Sequence, residues 1–172
     1  MVFFAKPTPK TLLLGFFIVM IGEFLRLWGV AIAGSETRTT GPVGGTFLIT
    51  TGPFAHVRNP LYLGNMLIYA GVGVMSNALF PWLIIVALAY FFFQYSLIVS
   101  LEEEHLAVAY GEEYQRYRAS VPRFFPKLFK YLPANNEQPE LDWKRGLQSE
   151  RRTLQAITVL VIVLIVIFLM PG

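Results

Sequence analysis

Three consecutive carboxylates, Glu102, Glu103 and Glu104, close a long uncharged run and are followed directly by His105. Adjacent acids raise one another's cost of ionisation unless a cation stands near. Such a cluster can hold a positively charged group, and Glu104 or His105 can take up a proton; the same residues also suit a solvated loop. A second polar point is Arg58 with Asn59, just before Pro60. The free N–H groups of a helix starting at Pro60, with Arg58 beside them, suit an anion such as a ligand carboxylate, and equally a plain cap with a snorkelling arginine. A third is Glu23 with Arg26, an i, i+3 pair inside an apolar run. Intramembrane charges of this kind are costly unless paired; they mark a functional interior or a structural ion pair.

These residues need a scaffold, and composition says which. With 172 residues, 55% of them hydrophobic and 15% charged, the chain exceeds the apolar share of about 45–50% usual in soluble domains. An all-α polytopic membrane protein is expected, one membrane domain over 1–172. Crossing a hydrocarbon layer takes about 20 helical residues. Runs 11–33, 61–80, 82–101 and 153–170 qualify, within helices expected at about 11–33, 60–80, 82–110 and 142–170. The absence of cysteine excludes disulfides and thiolate chemistry. Two histidines without HxxxH or HExxH spacing make a metal centre unexpected. Arg38, Arg58 and the basic residues from Arg116 to Arg152 flank the 61–101 hairpin. They carry a topology signal, not a nucleic-acid one: by the positive-inside rule they face the cytoplasm, with both termini on the other side.

Pro7 and Pro9 delay the first helix to an N-cap at Thr11. A cleaved leader competes as a reading of this region, but Glu23 and Arg26 interrupt the pattern before the small residues at Ala31 and Ala33. Gly15, Gly22 and Gly29, and later Gly64 and Gly71, recur every seven residues, a stripe suited to close helix packing in lipid. Residues 34–59 read as a fold-back loop with a strand-like 46–50. Asn59 is the expected N-cap of the second helix, and Ser76, Asn77 and Pro81 make its exit turn. The aromatic cluster Tyr90 to Phe93 with Tyr95 reads as core or lipid-facing. Acids at a helix C-terminus oppose its dipole, so the third helix should run past them to about Tyr110 and stop at Gly111. Tyr110, Tyr114, Tyr117 and Val121 then share one face of an interfacial helix, apolar side against the membrane. Pro122 and Pro126 end it. The last apolar run reads as an anchor.

The stretch TTGPFAHVRNPLYLG, an apolar hairpin, and then EEEHLAVAYGEEYQRYRASVPRFFP resemble the isoprenylcysteine carboxyl methyltransferase superfamily of integral membrane methyltransferases, with the phospholipid methyltransferases as near relatives. The resemblance covers roughly 46–126. It implies S-adenosylmethionine as cofactor and a site made by segments 46–62 and 102–126. Its cofactor pocket falls on Thr46, Phe47, Leu48, Ile49, Phe54, Asn59, Pro60, Tyr62 and Glu103, and its catalytic groups on Glu102, Glu103 and Arg58. The relatives' GxG falls on Gly71-Val72-Gly73, where helix packing is the competing account. Asn59 stands where the family has histidine, Phe54 where it has tyrosine, and Ile98 where the prenylcysteine enzymes carry an arginine for the substrate carboxylate.

A carboxylate suits the cofactor's ammonium and sulfonium. Methyl transfer is an in-line displacement that depends chiefly on positioning. The expected function is therefore an S-adenosylmethionine-dependent methyltransferase facing the cytoplasm, in a bacterial inner membrane or in endoplasmic reticulum, acting on a lipid-like or small apolar acceptor among membrane lipids. Narrower alternatives are isoprenylcysteine carboxyl O-methyltransferase proper and phospholipid N-methyltransferase. Alternatives of other classes are a non-catalytic four-helix scaffold and a sterol-type reductase using a nicotinamide cofactor.

Overall fold

The computed structural model describes residues 4–34, 48–133 and 138–170; among them all regular structure is helical and no strand occurs. Helix α1 (Pro9–Ala33) opens at Thr8, whose Oγ1 accepts the Thr11 amide at 3.2 Å while the Thr8 amide donates to Thr11 Oγ1 at 2.9 Å. The helix starts two residues before the expected Thr11. Pro9 takes the first helical position, where a missing N–H costs nothing.

Helix α2 (Pro60–Ser76) runs antiparallel to α1, and glycine sets their approach. Gly15 stands against Gly71, Gly22 against Gly64, and Gly29 against Leu61. A Cβ added at Gly71 would lie 2.7 Å from the Gly15 carbonyl oxygen, so the two backbones touch. Gly73, also in the GxG, abuts Ile84. Residues 77–80, expected inside this helix, lie outside it: Asn77 turns left-handed at φ 49° and its N–H returns to the carbonyls of Gly73 and Val74. At 17 residues, α2 is about 25 Å long, short of the roughly 30 Å hydrocarbon layer. Among the described residues, three helices are long and apolar enough to cross a membrane: α1, α3 (Trp82–Ser120) and α4 (Trp143–Leu169).

Helix α3 is uncharged from Trp82 to Leu101 and continues through the acids beyond that stretch. Gly111, at φ 51° and ψ −124°, breaks its path before a last helical piece that ends at Ser120. Helix α4 is capped by Asp142, whose side chain accepts the Arg145 amide at 3.0 Å, and the Asp142 amide bonds the Ala31 carbonyl at 2.9 Å. From there α4 descends along α1, with Gly146 on Ala31 and Leu164 in a core with Val19, Val72 and Met75.

Two ends result. The described termini gather with the 77–81 turn, where the Lys6 amide bonds the Ser76 carbonyl at 2.9 Å. Segments 48–59, 102–133 and 138–142 gather at the other. Exposed apolar side chains line the flanks of α3 and α4, among them Phe93, Leu97, Val159 and Ile162. This is an integral membrane protein, and those flanks face lipid.

Replacing Gly71 by Ala forces α1 and α2 apart against backbone, not against a flexible side chain. Overpacking of this kind costs about 1–3 kcal/mol. A lower thermal midpoint of the detergent-solubilised protein is expected; an unchanged one would mean the helices stand farther apart than described.

Candidate active site

The site end is built by loops fastened to one another through backbone. The Arg58 amide bonds the Pro122 carbonyl at 2.9 Å, the Lys127 amide the His56 carbonyl at 3.0 Å, and the Tyr131 amide the Ala55 carbonyl at 2.9 Å. A short 3-10 turn, Gly52–Ala55, sets the course of the first of these loops. Asn59 precedes α2 but does not cap it with its side chain; its amide nitrogen instead donates to the Arg123 carbonyl at 3.2 Å. The chain thereby carries Arg58 and Arg123 to the same carboxylate.

That carboxylate is Glu103, only 4% exposed. Arg58 donates to Oε1 from Nε at 3.0 Å and from Nη2 at 2.8 Å. Arg123 donates from Nε to Oε1 at 3.2 Å and from Nη2 to Oε2 at 2.5 Å. Burial alone would raise this carboxyl, but hydrogen bonds and charge from Arg123 and Arg58 outweigh it and hold it below the ordinary carboxylate range. Arg58 also donates through Nη1 to the carbonyls of Arg118, at 3.0 Å, and Val121, which end α3. Arg123 reaches Ser100 Oγ at 3.3 Å.

Glu102 is in a different state. About 100° round the helix from Glu103, it accepts one hydrogen bond from a described residue, at 2.7 Å from the Tyr62 hydroxyl. No cation among the described residues reaches it. Burial and then the neighbouring Glu103 charge act to raise its carboxyl, and the net shift is upward despite the Tyr62 bond. Glu104 and His105 are exposed.

Tyr114 stands beside this cluster, 1% exposed, with no hydrogen-bond partner for its hydroxyl among the described residues. Burial, and next the Glu103 charge, push it up to about 12, so it stays a neutral donor. Tyr114, Tyr117 and Val121 form a buried cluster with Leu48, and Tyr117 donates to the Phe54 carbonyl at 2.8 Å. The face expected to lie on the membrane is thus covered by the protein's own loops. Four tyrosine and valine positions at helical spacing look alike against lipid or against a loop; only the returning chain distinguishes them.

Of the cofactor residues named from the sequence, Leu48, Ile49, Phe54, Asn59, Pro60, Tyr62 and Glu103 lie within the described residues, and Thr46 and Phe47 lie outside them. Pro60 is buried at the start of α2, near Gly29. Thr50, near Leu48, carries a second buried hydroxyl without a partner among the described residues. Its amide and the Leu48 carbonyl are both held by the Gln138 side chain at 2.9 Å. Ile98 packs on Tyr95, Val99 and Phe124.

A further polar line threads the bundle. Arg26 donates from Nη2 to Glu150 of α4 at 2.8 Å and from Nη1 to the Asn65 side-chain oxygen; Glu23 lies 3.9 Å from its Nε. Asn65 donates to the Tyr95 hydroxyl at 3.3 Å, and the Tyr95 ring lies 4.7 Å from that of Tyr62. Glu150, fully buried, is a residue the sequence reading passed over within a basic stretch. Its spacing from Gly146, which rests on α1, was the available signal: residues four apart share a helix face.

Among the described residues no group of three or more His, Asp or Glu side chains is placed to hold a metal ion. The phospholipid methyltransferase family matches residues 10–113. The chain belongs to that family, within the superfamily of integral membrane methyltransferases that includes the isoprenylcysteine enzymes. The cobalt-zinc-cadmium resistance protein CzcN of Cupriavidus metallidurans is 34% identical over 86% of this chain and 61% of its own length. The nickel-cobalt-cadmium resistance protein NccN of Alcaligenes xylosoxydans is 34% identical over 60% of this chain and 44% of its own. Protein-S-isoprenylcysteine O-methyltransferase of Schizosaccharomyces pombe is 28% identical over 69% and 50%. The chain spans about half the length of these curated relatives. No solved structure matches it.

Because the Glu103 carboxyl is lowered on folding, its contribution is present above the ordinary value of 4.5 and is lost as pH falls through the folded value. Removing one partner of a buried pair costs about 3–5 kcal/mol, and the partial exposure of Arg123 favours the lower end. Glu103→Gln should therefore unfold at markedly lower denaturant than the parent at neutral pH, with the gap narrowing in acid. A gap independent of pH would count against the ion pair.

Proposed function

We propose that this family member transfers a methyl group from S-adenosylmethionine to a lipid-like or small apolar acceptor, at the end formed by segments 46–62 and 102–126. The observation that carries the reading is the unequal state of two neighbouring carboxylates. Glu103 is saturated by two guanidiniums, while among the described residues Glu102 has a single neutral donor and no cation. Charge complementarity for an ammonium is available at Glu102, and that role passes to it from Glu103.

The residues present fit the cofactor on further grounds. The unpartnered Tyr114 and Thr50 hydroxyls need a polar partner, and the aliphatic and aromatic side chains of Leu48, Ile49 and Tyr117 suit an adenine. Bound there, S-adenosylmethionine would supply the electrophilic methyl group. Tyr62 orients Glu102; Glu103, Arg58 and Arg123 lock the loop that closes the site. Arg58 is therefore a positioning residue. Two guanidiniums against one carboxylate leave net positive charge at the loop, which suits an acceptor carrying a phosphate or carboxylate near the reacting atom. Arg123 supplies it in place of the arginine missing at Ile98.

We further infer that α2 completes a fourth crossing with the 77–81 turn and that the site faces the cytoplasm. The basic residues at the site end support that orientation. Tags at both termini should be reached from the opposite side by impermeant reagents; labelling from the cytoplasmic side would reverse it.

Glu102→Gln keeps shape and removes the charge. Titration of S-adenosylmethionine into the purified protein should show binding weaker by about 1.5–3 kcal/mol, the worth of a charge-assisted hydrogen bond. Conformational stability should be equal or higher, because a half-buried carboxylate without a cation is relieved. Equal binding by parent and variant would defeat this assignment, and no binding of the methyl donor by either would favour the scaffold reading. Labelled methyl donor added to membranes then identifies the acceptor by what becomes labelled.

A further inference from the structure

Between Phe124 and Leu132 the chain displays Phe125, Leu128, Phe129 and Leu132 outward, at exposures of 72–91%. Each side chain could turn inward if the backbone were loose, but here the backbone is pinned. The Lys127 and Tyr131 amides bond the His56 and Ala55 carbonyls, and the His56 ring meets the Lys127 carbonyl at 2.9 Å. A fixed loop presenting four large apolar groups is an interaction surface.

Depth identifies what it meets. Arg123 is held at Ser100 and Glu103, where the apolar stretch of α3 ends. The next residue, Phe124, turns down that helix: it packs on Val99 and Tyr95, and its ring lies 5.3 Å from that of Phe92. Phe92 lies nine residues before Leu101, about 13 Å along the helix axis. Phe124 thus reaches the level of the lipid-facing residues of α3, and the exposed residues that follow it leave from the membrane end of the site. Lys127 returns upward to the Ser120 carbonyl at 2.8 Å, and Lys130 is exposed. Aliphatic stems with charged heads at this height suit a phosphate layer.

We propose that the 124–132 loop is seated in the leaflet on the site side, its apolar side chains among acyl chains and its lysines at the anionic headgroups. It is the lipid-facing wall of the Glu103 clamp, and this holds whether or not the site transfers methyl groups.

The chain contains no cysteine, so single cysteines can be labelled uniquely. Leu128→Cys and Phe129→Cys, each carrying a small environment-sensitive fluorophore, are reconstituted into phosphatidylcholine vesicles containing phosphatidylglycerol. Leu101→Cys serves as the lipid-facing reference and Glu112→Cys as the aqueous one. Lipids brominated on the acyl chain should quench both loop labels as strongly as the Leu101 label, and iodide in the buffer should quench them far less than the Glu112 label. Strong iodide quenching without bromolipid quenching overturns the proposal. So does efficient cross-linking of the loop cysteine between two copies without bromolipid quenching, which would make the patch a protein interface.

Discussion

The buried carboxylate of Glu103 with its two arginines is the contact on which the site end depends. A carboxylate taken out of water costs several kcal/mol unless its lone pairs are filled in good geometry, and here four guanidinium N–H groups fill them. The arrangement joins three separate stretches of chain. Arg58 adds a second function: its Nη1 takes carbonyls of the last turn of α3, which would otherwise lack partners. Its positive charge also lies at the negative end of that helix. One side chain therefore fixes both where α3 ends and where the loop before α2 ends.

Inside the bundle the same logic recurs at lower dielectric. Arg26 sits between α1, α2 and α4, and the charge it brings is met by Glu150 and by Asn65. Lipid offers no hydrophobic force between helices, so α4, with few small residues, needs another reason to stay beside α1. The Arg26–Glu150 pair and the Asp142 amide on Ala31 supply it. Between α1 and α2 the close packing of the glycine stripe is joined by the Arg26–Asn65 hydrogen bond.

Much of this was legible in the sequence because the signals were local. Hydropathy and length marked the long apolar helices, the seven-residue glycine repeat marked the α1 and α2 faces, and the mismatch of acids with a helix C-terminus required α3 to continue. Long-range pairing was not legible. Nothing in EEE says which acid meets Arg123, because neighbours on a helix differ only by rotation and the partner's position is set by a loop twenty residues on. The Tyr110 to Val121 face was assigned to lipid for the same reason: periodicity reports an apolar face but not what covers it. The exit of α2 depended on a left-handed Asn77, a residue type that tolerates that conformation without requiring it.

The separation of Glu102 from Glu103 also has a directional consequence. Glu103 looks toward the loops and Glu102 toward Tyr62 on α2, whose ring rests on Tyr95 of α3. A group held by Glu102 would therefore lie over the seam between α2 and α3, lined below by Met66, Phe91 and Ile98. On the proposed reading, polar contacts for the methyl donor would come from the loop end and apolar contacts for the acceptor from the helices, so the two would approach the reacting centre from opposite directions, as an in-line displacement requires.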